Sequence, residues 1–400
     1  MSLPTDLPRE IGDRVQPPGF DEVLARAEQG RRRRRTTIAS GLAAGVVVAG
    51  VAFAATGPLT PERSAPEPAT PGPTEQWDGS SEVDPRLPGA VQDLLREDRV
   101  DPVSVSASGD GIAVVWRSCT QTSCAFAVVT RHGDDVTGTA STAPTLTPVP
   151  GGWFVDGGGY TVSRLTPTGE QQPLVVTGPG DGDVMAGDAF LQPQQHGSVL
   201  LRGSKLVPAP TAPGSRGIHN GYVTPEGRLV AAVLSGDGSG LSLTSTDDGR
   251  TWEDPTTTRS DGSTDTAAIA GSGDHVAVAV LGDDPDGSIP LREVLVSHDA
   301  GRTWSRVEGL DLEGGDRVRD LSSVAVSSAG TTYLATASHH IVRIDADGEA
   351  VPTQLSAFDS SVVASGDTVC VVAESGAIDR LECSEDDGRS WTSQPLPGFR

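Results

Sequence analysis

Aromatic, sulfur-bearing and basic residues are all scarce in this chain. Only 4% of its 400 residues are aromatic, two are Met and four are Cys. Basic residues thin out after the first 35 positions: residues 57–400 hold 22 Lys and Arg against 48 Asp and Glu, in a chain of formal net charge −24. That field repels phosphate backbones and anionic headgroups and argues against nucleic-acid binding. A Walker loop, a dinucleotide fingerprint and a Gly-x-Ser-x-Gly turn are absent, and Asp156-Gly157-Gly158-Gly159-Tyr160 is a glycine-rich turn with no helix after it to cradle phosphate. There is no CxxC pair and no HxxxH spacing, and His339-His340 point to opposite strand faces, so neither a metal site nor a cofactor is expected. Asp181-Gly182-Asp183 and Asp283-Asp284-Pro285-Asp286-Gly287 lack the full spacing of a calcium loop and read as solvated acidic turns. The abundant residues are 49 glycines and many Val, Thr, Ser and Ala, a composition that argues against a helical bundle.

Five consecutive arginines, Arg31 to Arg35, precede an uncharged stretch from Thr36 to Thr56. Its apolar heart, Ile38 to Ala55, is about 18 residues, which at ~1.5 Å per residue just spans a ~30 Å hydrocarbon core. Positive charge stays cytoplasmic, so residues 36–56 read as a single-pass signal-anchor in the cell membrane, with everything beyond it extracellular. A cleaved secretory signal competes, because Ala52-Phe53-Ala54 resembles a cleavage site; the long lead and unbroken apolar run favour the anchor. A twin-arginine export signal lacks the rest of its pattern. The even cysteine count fits the same address, and the local pairs Cys119 with Cys124 and Cys370 with Cys383 are expected to be disulfides.

Residues 1–35 form a cytoplasmic tail. Within it Phe20 to Ala27 reads as one helix, with Phe20, Val23, Leu24 and Ala27 on one face. It serves either to dock a cytoplasmic partner or merely to orient the anchor. The tail loosely resembles those of bacterial membrane proteins paired with alternative sigma factors, without a specific motif. Residues 57–99 are a Pro-rich spacer followed by a short helix over Pro88 to Asp98.

From about residue 100 to 400 the chain repeats. Three segments match: Ser245-Thr246-Asp247-Asp248-Gly249-Arg250-Thr251-Trp252, Ser297-His298-Asp299-Ala300-Gly301-Arg302-Thr303-Trp304 and Ser384-Glu385-Asp386-Asp387-Gly388-Arg389-Ser390-Trp391. In each, Asp and Ser can accept backbone N–H groups in a tight turn, Gly supplies a positive φ, and Trp buries its ring against a neighbouring sheet. A turn-then-strand signal recurs at Gly109, Gly152, Gly187, Gly227, Gly273, Gly330 and Gly366, a mean spacing of about 43 residues, which is the period of four-stranded propeller blades. The repeated Ser-x-Asp-x-Gly-x-Thr/Ser-Trp pattern resembles the Asp-box (bacterial neuraminidase, BNR, repeat) of sialidase-like β-propellers. An all-β propeller is therefore expected, with seven blades and six as the alternative. The largest gap, Gly273 to Gly330, is absorbed by a polar loop at Gly282–Ser288.

The resemblance implies that these boxes are structural and lie on the rim, away from the central pocket. It also implies what a sialidase would need: three arginines holding a carboxylate, a Tyr nucleophile backed by Glu, an Asp acid, and an early Arg-Ile-Pro string. That string is missing; Ile289-Pro290-Leu291-Arg292 is in the wrong unit and order. The chain has three tyrosines, Tyr160, Tyr222 and Tyr333, of which Tyr333 is the candidate late-blade nucleophile. No spacing selects a triad from Arg117, Arg202, Arg292, Arg319 and Arg343. The expectation is a membrane-anchored extracellular propeller that recognises or scaffolds a protein or glycan ligand without catalysis. The alternatives are a diverged exo-sialidase-like glycoside hydrolase and a transmembrane sensor signalling through the 1–35 tail.

Overall fold

A computed structural model describes residues 82–400 except 98, 110, 121–122, 142–144, 158–161, 178–181, 194–196, 236–239, 248, 258–265, 283–290, 309, 311–323, 336–339 and 374–379. The fold is a seven-bladed β-propeller. Blade 1 comprises β1 (Val100–Ser108), β2 (Gly111–Cys119), β3 (Cys124–His132) and β4 (Asp135–Ser141), and blade 2 comprises β5 (Thr145–Val149), β6 (Gly152–Asp156), β7 (Val162–Leu165) and β8 (Gln171–Pro173). Blade 3 takes β9 (Val175–Val176), β10 (Ala189–Leu191), β11 (Val199–Arg202) and β12 (Lys205–Pro208) in the order β10-β11-β12-β9. Blade 4 is β13 (Ser215–Val223), β14 (Leu229–Ser235), β15 (Leu241–Ser245) and β16 (Thr256–Thr257), and blade 5 is β17 (Thr266–Ser272), β18 (His275–Leu281), β19 (Leu291–Ser297) and β20 (Ser305–Arg306). Blades 6 and 7 form one seven-stranded sheet of β21 (Val324–Val326), β22 (Thr332–Ala335), β23 (His340–Ile344), β24 (Ala350–Ser365), β25 (Thr368–Ala373), β26 (Arg380–Ser384) and β27 (Thr392–Pro395). The long β24 is the last strand of blade 6 and the first of blade 7. First strands of neighbouring blades lie against one another, β1 beside β5 and β24, β10 beside β13, β13 beside β17 and β17 beside β21, so they ring the axis.

Both faces of each blade are apolar. Among the described residues the buried side chains fall into seven clusters, each between two successive blades. Strand alternation distributes them: Leu229, Ala231 and Val233 of β14 face blade 3, whereas Ala232 faces blade 5. On β18, Ala277, Ala279 and Leu281 face blade 6, and Val278 and Val280 face blade 4. A strand covered on both faces reads as a continuous apolar run, which is why these second strands are Val- and Ala-rich throughout.

One unit marker differs from the sequence reading. Gly187 does not turn the first strand of blade 3 into the second; it closes the Met185–Asp188 turn ahead of β10, and the inter-strand position falls on Gly197. The reason is that blade 3 is assembled out of order. Its outermost strand β9 arrives from the exit of blade 2 and pairs in parallel with β12.

The ring closes through a latch between blades 7 and 1. The segment from Glu82, which composition assigns to the spacer, packs on the propeller. Val83 pairs antiparallel with Phe399, and helix α1 (Gly89–Leu95) buries Val91, Leu94 and Leu95 in the cluster between these blades. The Trp116 indole donates to the Pro397 carbonyl at 2.9 Å and meets the Phe399 ring edge-on. Arg131 of β3 donates to the Pro395 carbonyl and to Gln394 Oε1. At the centre, the buried Asp84 carboxylate accepts from Arg86 and from Arg400. Both disulfides are present, each joining directly opposed residues: Cys119–Cys124 across β2 and β3, and Cys370–Cys383 across β25 and β26. The second pair is buried in the latch cluster.

The tail with its Phe20–Ala27 helix, the anchor at 36–56, most of the spacer and the polar loop at Asp283–Ser288 lie outside the described residues. Among the described residues, no helix is long and apolar enough to cross a membrane.

The Arg86 hydrogen bonds, with Arg400, hold the Asp84 carboxyl well below the usual carboxylate range even though burial pushes it up. A depressed carboxylate stabilises the fold above its unfolded value of about 3.9, and that contribution is lost as pH falls through the folded value. We expect Asp84→Asn to lower stability by about 2 kcal/mol at pH 7. Its melting temperature should also decline less steeply below pH ~4 than that of the wild type. Thermal melts across pH check both.

Candidate functional site

The three matched turns join the third and fourth strands of blades 4, 5 and 7. In blade 5, Ser297 Oγ accepts from the Gly301 N–H at 2.9 Å and donates to Asp299 Oδ1 at 2.8 Å. Asp299 in turn accepts the Thr303 N–H at 2.8 Å and its hydroxyl at 2.7 Å. Blade 7 repeats this with Ser384, Asp386, Gly388 and Ser390: Gly388 N–H to Ser384 Oγ is 2.8 Å, and Ser390 N–H and Oγ reach Asp386 at 2.7 and 2.6 Å. Burial alone would raise Asp299 and Asp386, but these donors outweigh it and leave both carboxyls lowered. The turn needs two successive positive φ values, 60° and 80° at Ala300 and Gly301, and 62° and 77° at Asp387 and Gly388.

The box glycines also touch the preceding blade. A Cβ on Gly249 would lie 2.2 Å from the Val184 carbonyl oxygen, one on Gly301 would lie 3.0 Å from Val230, and one on Gly388 would lie 3.0 Å from the Tyr333 hydroxyl. The half-buried Trp252, Trp304 and Trp391 pack against the same inter-blade clusters. These turns are therefore joints between blades.

The first box departs from the other two. The fully buried Arg228 guanidinium reaches Ser245 Oγ and Asp247 Oδ1 at 3.0 Å and Glu253 Oε2 at 2.9 Å. Asp247 serves as an ion-pair partner here, its backbone N–H bonding the Thr251 carbonyl at 2.7 Å.

Tyr333 does not line the axis. It is wholly buried on the second strand of blade 6, and its hydroxyl donates to Asp387 Oδ1 at 3.2 Å. Ser327 and Thr331 also donate to Asp387, at 2.8 and 2.5 Å. Burial, reinforced by the Asp387 charge, pushes the phenol far above its usual range, opposite to what a nucleophile needs. Tyr222 is on the innermost strand β13, but its hydroxyl donates to the Gly273 carbonyl at 3.1 Å, and burial with the Asp274 and Glu226 charges pushes it up to about 12. Tyr160 and Arg319 lie outside the described residues. Of the other arginines, Arg117 and Arg202 are on second strands of blades 1 and 3, and Arg292 and Arg343 on third strands of blades 5 and 6, so none belongs to the innermost ring. Arg202 is bound to Asp188 at 2.7 Å.

The innermost strands carry few chemically active groups, and β13 is the exception. Its sequence, SRGIHNGYV, breaks register at two places, and His219 is the unmatched residue between Ile218 and Asn220. A bulge re-aims its side chain. His219 Nε2 is buried with no hydrogen-bond partner among the described residues, and burial lowers the imidazole pKa. No motif marks this residue in the sequence; the only trace is a polar, glycine-broken run where an inner strand ought to alternate. Among the described residues no group of three or more His, Cys, Asp or Glu is placed to hold a metal ion.

No protein-family model matches the chain, and no curated protein matches it. Solved structures are similar in architecture. A Pyrococcus horikoshii acylaminoacyl peptidase shares 9% identity over 76% of this chain and 53% of its own, with a TM-score of 0.45. A Hadza microbial sialidase shares 12% identity over 78% of this chain and 68% of its own, TM-score 0.35. A Penicillium chrysogenum alpha-L-arabinanase complexed with arabinobiose shares 12% over 68% of this chain and 89% of its own, TM-score 0.34. The chain spans about half the length of the peptidase. These likenesses concern architecture and leave the chemistry to this chain's own residues.

If the boxes are joints, their loss registers as instability. We expect Asp386→Ala to cost about 1–2 kcal/mol. Gly249→Ala should cost more, since its Cβ meets backbone at a positive φ of 80°. Tyr333→Phe, which removes one hydrogen bond and leaves Asp387 two other donors, should cost about 1 kcal/mol. Urea denaturation of the three variants orders them.

Proposed function

We propose that the chain is a membrane-anchored, extracytoplasmic propeller that recognises or scaffolds an extracellular protein or glycan ligand and does not act on it chemically. The observation that carries this reading is the use made of the residues a sialidase-type centre would need. Tyr333 is sealed between blades 6 and 7 under Asp387, and Arg202 is held by Asp188. The extracytoplasmic address rests on the five arginines before an uncharged run, and the two disulfides are consistent with it. In this reading the rim boxes hold the ring, and ligand meets the axial region.

Two measurements test the proposal. Incubation of the purified full-length protein with a panel of fluorogenic glycosides, a sialoside included, should give no turnover; turnover abolished by one axial substitution would establish the hydrolase reading instead. Protease added to intact cells should degrade the propeller and spare the 1–35 tail, whereas a mature N-terminus near Ala55 would show that the apolar run is a cleaved signal.

A further inference from the structure

At the edge of blade 5, two imidazoles meet head to head. His275 begins β18 and His298 follows the end of β19, so they face each other one position beyond the last ladder pair, Val276 with Ser297. Their Nδ1 atoms are 2.8 Å apart, and the rings stand nearly edge to face, with centroids 5.1 Å apart and planes at 69°. An Nδ1–Nδ1 contact of this kind holds one proton between two nitrogens whose lone pairs converge on a single point.

We propose that His275 and His298 form a bidentate site for a first-row divalent transition-metal ion of the imidazole-preferring class, such as Zn²⁺, with water completing the coordination. Two nitrogens bound to tetrahedral Zn²⁺ at ~2.0–2.1 Å lie about 3.3 Å apart, so the pair must open by only about half an ångström. On binding, the shared proton moves to Nε2 of the ring that carried it, and two neutral imidazoles present both Nδ1 lone pairs to the ion. No oxidation or bond cleavage is involved.

Three features hold the rings in place before any ion arrives. His298 sits between Ser297 and Asp299, whose side chains are locked in the box turn. The turn of His275 is tied to the same box by the Ala300 N–H, which donates to the Asp274 carbonyl at 2.8 Å. Gly330 of blade 6 leaves room for the His275 ring, since a Cβ there would come within 2.7 Å of Nδ1. His298 is exposed, so an ion can approach from solvent.

The charged neighbours favour a cation. Asp274 adjoins His275 and raises its pKa against the larger lowering effects of burial and of His298, so the imidazole titrates below its ordinary value. The Asp299 carboxylate is engaged by Ser297 and Thr303 and cannot bridge the two rings. An overall charge of −24 concentrates cations at the surface generally.

Calorimetric titration of the full-length protein with Zn²⁺ at pH 7.5 tests the site. One ion should bind per chain, with affinity reduced about tenfold or more in His298→Ala and in His275→Gln, as expected when one of two ligands is removed. Affinity should also fall as pH is lowered, because protons compete with the ion for the imidazole nitrogens. Zn²⁺ should raise the melting temperature of the wild type by more than that of His298→Ala. Binding of equal strength in wild type and both variants, or no saturable binding, overturns the proposal. So does loss of binding in His339→Ala/His340→Ala with retention in His298→Ala, which would move the site to the other histidine pair.

Discussion

Everything in this molecule follows from sheets that are apolar on both faces. A blade such as the fourth, with Ala231 turned one way and Ala232 the other, has no face to give to water. Each blade therefore requires two neighbours, and a row of such blades is stable only when its ends meet. The box turns, the bridging β24 and the parallel β9 all secure one blade to the next. The latch around Asp84 and Trp116 makes the last of these joints, and it uses hydrogen bonds and an ion pair besides the apolar contact because no continuous strand crosses it.

The scarcity of basic residues takes on a structural meaning within this frame. Several arginines neutralise carboxylates that the fold has buried: Arg86 and Arg400 on Asp84, Arg202 on Asp188 and Arg306 on Glu293. A buried carboxylate without such a partner would cost several kcal/mol, so these arginines are not available to meet a ligand. The acids left at the surface are then less balanced than composition alone implies. The outward field is negative, and it favours cationic or neutral partners over anionic ones.

The propeller was legible in the sequence because its signals are local: a turn glycine, an alternating strand and a box recur within one blade. The third blade was misjudged at Gly187 because two of its strands span only three and two residues and its outer strand is borrowed, so no local signal marks its order. Asp84 and its neighbours looked like spacer because their partners lie at the far end of the chain. The axial residue His219 carries no motif, and a bulge is invisible until both strands are paired. The imidazole pair is different in kind. His275 precedes Val276 and His298 follows Ser297, so once the β18–β19 register is known their opposition follows by counting.

The latch has a consequence for how the molecule is made. Its contacts join residues 316 apart, whereas strand pairing within a blade joins residues a few to a few tens apart. The entropy of closing a loop grows only slowly with its length, so the latch is affordable once the blades exist, but it cannot guide their formation. On a ribosome, blade 1 would emerge first and then wait, one apolar face uncovered, until Pro395 to Arg400 had been synthesised. Throughout that interval α1 and Trp116 present their apolar surface to whatever is nearby, and this is the stage at which a chaperone would have something to hold.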